Sequence, residues 1–73
     1  MRLFDDQHGH RWEAATAFGS YGEVHLIFSR MDANELRTST LKAATLREAT
    51  QELEALTDTA LREQLEKAEP WQG

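Results

Sequence analysis

Two histidines and two carboxylates lie close together near the amino terminus of this 73-residue chain. Asp5 and Asp6 precede His8, Gly9 and His10, and this polar run is typical of a turn. Imidazole nitrogens and carboxylate oxygens bind Zn²⁺, Ni²⁺ or Cu²⁺ when a third or fourth ligand folds nearby. The spacing matches no closed zinc motif, so we expect no resident cofactor. Asp6, His8 and His10 are candidate metal ligands, and a solvated turn is the alternative interpretation.

Catalytic motifs have little support in the sequence. Ser20, Ser29 and Ser39 lack the context of a nucleophile elbow, and the four glycines form no dinucleotide-binding or phosphate-binding loop. Glu48 and Glu52 stand one helical turn apart, where two carboxylates could act as acid and base. On an amphipathic helix such a pair more commonly belongs to the solvated face. The sequence therefore predicts a protein that is not an enzyme.

Apolar and aromatic side chains in unusual places favour contact with another protein. Ala15, Ala17 and Ile27 are expected to face away from the core, on a flat apolar surface of a kind that marks interaction sites when it is large. Tyr21 is expected at the tip of a turn. Trp71 either pins the last helix to the core or anchors a partner. These five residues are candidate contacts with a second copy of the chain or with another protein.

The net charge of −5 is distributed unevenly along the chain. Residues 45–73 hold seven of the thirteen carboxylates but three of the eight bases, and so carry most of the net charge. Glu48, Glu52 and Glu63 are candidates for steering a basic protein partner. Direct nucleic-acid binding is disfavoured because a basic surface with stacking aromatics is missing. Mimicry of nucleic acid by the spaced carboxylates is the remaining nucleic-acid-related alternative.

The period of the hydrophobic pattern changes in the middle of the chain. Residues 11–18 and 24–28 alternate in polarity, as the strands of a hairpin do. If residues 20–22 form the loop, with its glycine in the left-handed conformation, Phe18 faces Val24 and the apolar side chains share one face. The pattern therefore predicts a hairpin with a defined register.

Further elements are predicted on both sides of this hairpin. Residues 3–4 favour a short first strand. Residues 36–43 favour a fourth strand, although a helix that begins near Asp32 is the rival interpretation. Thr45 opens a capping box that precedes leucines at helical spacing. Asp58 is expected to cap a second helix.

Together these patterns predict one α+β domain over residues 1–73. An antiparallel β-meander of three or four strands occupies residues 1–43, and two C-terminal α-helices in residues 45–69 pack on one face of the sheet. The expected core consists of Trp12, Phe18, Val24, Leu26, Phe28, Leu46, Leu53, Leu56, Leu61 and Leu65. No apolar run approaches the roughly 20 residues that span a bilayer, so no membrane association and a cytoplasmic location are expected. The expected function is that of a small intracellular protein-interaction module.

Overall fold

The computed structural model describes residues 1–19 and 21–71, and within these ranges the chain forms five strands and two helices. In chain order they are β1 (Arg2–Asp5), β2 (Arg11–Phe18), β3 (Val24–Arg30), β4 (Leu36–Leu41), α1 (Leu46–Ala55), α2 (Asp58–Lys67) and β5 (Glu69–Pro70). Each strand pairs antiparallel with the next one along the chain. The predicted α+β meander followed by two helices is confirmed, and 36–41 is a strand.

The central hairpin has the predicted register. The cross-strand partners are Phe18 with Val24, Thr16 with Leu26, and Ala14 with Phe28. Gly22 has a φ of 81°, in the left-handed region that glycine adopts without a steric cost. Ser20, the first residue of the predicted loop, lies outside the described residues.

Helix α1 begins at the predicted capping box. The Thr45 side-chain oxygen accepts a hydrogen bond from the Glu48 backbone N–H at 3.1 Å. The Glu48 carboxylate in turn accepts one from the Ala44 N–H at 3.1 Å. Both exchanges satisfy donors that a helix start would otherwise leave unpaired. Neither α1 nor α2 has the length and apolar character needed to cross a membrane, as far as the described residues go.

Helix α2 begins one residue earlier than predicted. Thr57, and not Asp58, is the cap, because the Thr57 hydroxyl accepts a hydrogen bond from the Ala60 N–H at 3.1 Å. Asp58 is the first residue inside the helix, where its charge lies near the positive end of the helix dipole. The Asp58 carboxylate also accepts a hydrogen bond from Arg2 at 3.1 Å. The negative charge therefore has a tertiary partner that the local sequence does not reveal.

Arg2 joins the sheet to the corner between the two helices. Its Nη1 donates to the carbonyl oxygens of Leu53, Glu54 and Leu56 at 3.4, 3.0 and 2.7 Å. These carbonyls belong to the end of α1, where backbone acceptors lack helical partners and a positive charge is favourable. The Arg2 side chain thus donates hydrogen bonds to carbonyl groups at the end of α1 and pairs with Asp58 at the start of α2.

Replacement of Arg2 by methionine is expected to lower the free energy of unfolding by about 1–2 kcal/mol, because the carbonyls at the end of α1 lose a charged donor. Urea denaturation measures the change. Arg47→Met is the matched control, since Arg47 is exposed on α1, and it should stay within about 0.5 kcal/mol of the wild type. Equal losses in the two variants would show that Arg2 has no special role at this corner.

The core lies between the helices and one face of the sheet. Its buried apolar residues are Phe4, Trp12, Ala14, Val24, Leu26, Phe28, Ala49, Leu53, Leu61 and Leu65. Three residues that were predicted to lie in the core are not fully buried. Leu46 and Leu56 are half-buried, and Phe18 is 57% exposed. Phe18 ends β2 beside the hairpin loop, and this position leaves its ring in solvent although its strand partner Val24 is buried.

Strand β5 is an element that the sequence did not predict. Its two residues pair with Arg37 and Thr38 of β4. The Trp71 N–H continues this pairing by donating to the Leu36 carbonyl at 3.0 Å. Pro70 is tolerated there because an edge strand does not need every backbone donor. The segment after α2 therefore returns to the edge of the sheet.

Candidate protein-binding face

The two faces of the sheet have different surroundings. The helices pack on the face that carries Trp12, Leu26 and Phe28. Strand alternation directs the other set of side chains away from them, and in the described part of the chain no helix covers that side. We call it the outer face, and its members are Leu3, Asp5, Arg11, Glu13, Ala15, Ala17, His25, Ile27, Ser29, Leu36, Thr38, Thr40, Glu69 and Trp71.

The centre of the outer face is flat and weakly polar. Ala15, Ile27 and Thr38 form one cross-strand row, and all three are half-buried. Ala17 and His25 are partners in the neighbouring row. The structure thus brings together the three apolar residues that the sequence assigns to a contact surface. Small side chains of this kind allow another molecule to approach the strands closely.

Trp71 also belongs to the outer face. Its backbone pairs with Leu36, and its indole lines a groove with Ile27 and Thr38. The side chain is 43% exposed and is absent from the core cluster, considering the residues that the structure describes. Trp71 therefore does not pin α2 to the core. It partly covers the sheet and leaves much of its aromatic surface in contact with solvent.

An open groove of about 420 Å³ lies on this face, between Trp71 and the end of the β2–β3 hairpin. We call it the groove, and its main lining residues are Ala17, Phe18, Glu23, His25, Ile27 and Trp71. Sequence reasoning placed Phe18 in the core and did not single out Glu23 or His25 as contact residues. The signal that was available is Gly19, since glycine in or beside a strand often marks a close approach.

Glu23 and His25 are joined by a hydrogen bond at the hairpin end of the groove. The His25 Nε2 lies 3.0 Å from a Glu23 carboxylate oxygen, and the Tyr21 N–H donates to the other oxygen at 2.9 Å. These hydrogen bonds, that from His25 foremost, hold the pKa of Glu23 below its usual value. Glu23 is therefore ionised at neutral pH, and the imidazole is the donor.

Gly19 allows this arrangement. A Cβ at position 19 would overlap the Glu23 carboxylate and the His25 ring. The Gly19 N–H also donates to the Glu23 carbonyl at 2.7 Å, so the two residues are in register across the hairpin. The missing side chain gives the carboxylate a fixed place beside the groove.

The remaining predicted contact residues are not gathered on the outer face. Tyr21 lies at the hairpin tip and is 96% exposed. Glu48, Glu52 and Glu63 are exposed on the helices, in the opposite layer of the molecule, and the Glu48 carboxylate is engaged in the α1 cap. One small partner therefore cannot contact the apolar and the acidic sets together.

The turn with the candidate metal ligands is organised by hydrogen bonds. Asp6 accepts the N–H groups of His8 and His10 at 2.8 and 2.9 Å, and the Trp12 indole N–H at 2.8 Å. Burial raises the pKa of Asp6, but these bonds outweigh it and lower the pKa to about 2. Arg30 lies 3.0 Å from the His10 Nδ1. Among residues 1–19 and 21–71 no three side chains of ligand type are grouped to hold a metal, so the metal site stays a prediction.

Comparison with protein-family models, curated proteins and solved structures found no match for this chain. The functional interpretation therefore rests on the chain's own residues. The strongest surface feature among them is the outer face, with its apolar centre, the partly exposed ring of Trp71 and the hydrogen-bonded carboxylate of Glu23 at the hairpin end.

Proposed function

We propose that this chain is a small cytoplasmic interaction module that acts by binding another protein through the outer face. The supporting observation is that the apolar centre of this face has no helix over it in the described residues, while Trp71 beside it is 43% exposed. Aromatic side chains are enriched at protein interfaces, where they fill pockets on the partner. Burial of the Trp71 ring and of Ile27 supplies the apolar contribution to binding.

The charge of the chain favours a basic partner over a second copy. Each copy carries a net charge of −5, so two copies repel each other at low ionic strength. A basic protein is instead attracted, and its association becomes faster. The exposed Glu52 and Glu63 contribute to this long-range field without touching the partner. The apolar outer face then provides the contact surface.

Ile27→Lys tests the proposal against Gln51→Lys, which adds the same charge on the exposed surface of α1. Each tagged variant is used to capture proteins from a lysate of the host, with washes at low and moderate salt. We expect the wild type and Gln51→Lys to retain the same protein in stoichiometric amount. Ile27→Lys should retain at least about tenfold less, because a charge then faces the centre of the interface.

The fold is checked by thermal denaturation of each variant. If Ile27→Lys unfolds, Thr38→Lys replaces it, since Thr38 lies directly opposite Ile27 on the same face. Equal retention by an outer-face variant and by Gln51→Lys contradicts the proposal. It is also contradicted if the wild type retains no protein and sediments as a monomer.

A further inference from the structure

We infer that the groove binds a cationic side chain, an arginine or lysine of the partner protein, between Trp71 and Glu23. This inference rests on the proposed function, since the partner supplies the side chain. It adds the chemistry that the site recognises and the residues that recognise it.

The Trp71 ring provides the first part of the site. Trp71 lines the groove and is 43% exposed, whereas the Phe18 ring is on the same face of the sheet as its buried partner Val24. A cation over an aromatic face is attracted by the electrons of the ring, and tryptophan gives the strongest attraction. Arginine has the additional advantage that its planar guanidinium stacks on such rings. The groove is thus suited to the alkyl stem and the charged head of a long basic side chain.

The Glu23 carboxylate provides the second part. It is the one acid among the residues found to line the groove, and His25 is the base. A carboxylate accepts about four hydrogen bonds, whereas His25 and the Tyr21 N–H occupy two positions here. The remaining acceptor positions of the Glu23 carboxylate can bind a guanidinium or ammonium donor. A hydrogen-bonded side chain also loses less entropy on binding than a free one.

The groove has room for one long side chain. Its volume of about 420 Å³ is within the range for sites that enclose drug-sized ligands, about 300–1,000 Å³. One wall is open to solvent, so a side chain can enter from a segment that lies along the sheet. The half-buried Ile27 and Thr38 form the floor beneath its stem.

A substitution at Gly19 tests whether the position of the Glu23 carboxylate matters, and it does so without changing the charge of the protein. Its Cβ in a Gly19→Ala variant would displace the flexible carboxylate and imidazole ends, and no backbone atom is among its nearest contacts. The fold is therefore expected to remain, while the carboxylate moves away from its place. If the cation site requires the Glu23 carboxylate in its present position, the Gly19→Ala variant should bind the cation more weakly.

The experiment is a nuclear magnetic resonance titration of the ¹⁵N-labelled chain with the blocked tripeptide acetyl-Ala-Arg-Ala-amide. The tripeptide with citrulline, the neutral analogue of arginine, is the matched ligand, and the lysine tripeptide is the third probe. The chain has two tryptophans, so two indole N–H signals are observed. Trp12 is an internal control because it is buried and donates its indole N–H to Asp6.

We expect the arginine and lysine peptides to shift the Trp71 indole signal and the amide signals of Ala17 and Ile27, while the Trp12 indole signal stays in place. The citrulline peptide should bind at least about fivefold more weakly, because a charge-assisted contact is lost. Glu23→Gln and Gly19→Ala should each weaken arginine binding by about five- to tenfold. Glu52→Gln, which removes the same charge from the helix surface, should leave it unchanged.

Two results would overturn the inference. One is equal binding of the arginine and citrulline peptides, and the other is equal weakening by Glu23→Gln and Glu52→Gln. The lysate experiment separates these failures from failure of the proposed function. Ile27-dependent capture without a peptide response leaves the interaction face in place and removes the cation site. A peptide response without any captured protein leaves the cation site in place and removes the function.

Discussion

Replacement of Phe28 by alanine is expected to lower the free energy of unfolding by about 3–5 kcal/mol. Phe28 is fully buried in β3, and its ring meets the ring of Phe4 edge to face, with centroids 6.0 Å apart. The substitution removes this aromatic pair and leaves a cavity between the sheet and the helices. A domain of this length has roughly 4–11 kcal/mol of total stability, so the variant should be close to unfolding. Urea denaturation at 25 °C measures the change.

Phe18→Ala is the matched control, because it makes the same substitution in the same hairpin. Phe18 is 57% exposed, so this variant should lose less than about 1 kcal/mol. The comparison separates a buried ring from an exposed ring on the same face of the hairpin. Similar losses in the two variants would place Phe18 in the core and contradict its exposure at the end of the hairpin.

Asp6→Ala is expected to lower the free energy of unfolding by about 2 kcal/mol at neutral pH, since three N–H donors lose a charged acceptor. The donors are the indole of Trp12 and the backbone groups of His8 and His10. Solvent around the half-buried carboxylate keeps the loss below the sum of three separate bonds. Asp5→Ala is the control at the neighbouring exposed position, with an expected change within about 0.5 kcal/mol.

The stabilisation from Asp6 depends on pH in a defined direction. The folded protein holds the pKa of Asp6 at about 2, below the ordinary value of 3.8. A depressed pKa adds stability above the unfolded-state value, and this stability is lost as the pH falls towards the folded-state value. The difference between the wild type and Asp6→Ala should therefore shrink from about pH 4 to pH 2. A constant difference over that range would show that hydrogen bonds to the charged form of Asp6 do not stabilise the turn.

The features that were predictable from the sequence are local. Alternation in β2 and β3, together with a glycine at position 22, determines one hairpin register because a shift by one residue would expose every apolar side chain. The capping box at Thr45 likewise depends on residues within one helical turn. Neither feature needs knowledge of the rest of the fold.

The features that were not predictable depend on contacts between distant segments. Thr57 and Asp58 are both good caps, and the choice between them involves Arg2, which lies more than fifty residues away. Phe18 fits the apolar pattern, but it ends β2 beside the hairpin loop and is 57% exposed. Strand β5 is two residues long and contains a proline, so no periodicity indicates it.

The candidate site shows the same division. Alternation was sufficient to place Ala15, Ala17 and Ile27 on one surface. The arrival of Trp71 on that surface required the return of the chain after α2, which depends on pairing with β4. The carboxylate of Glu23 became a site residue because Gly19 lies across the hairpin from it, a relation that spacing alone does not show.

The central claim is that the outer face binds a protein, and site-specific photocrosslinking in the host tests it most directly. A benzoylphenylalanine is introduced at Thr40, which is exposed on the outer face, or at Gln51, which is exposed on α1. After irradiation we predict one discrete crosslinked protein from position 40 and none from position 51. A crosslinked protein from position 51 with none from position 40 would contradict the account, because the partner would then bind the helices.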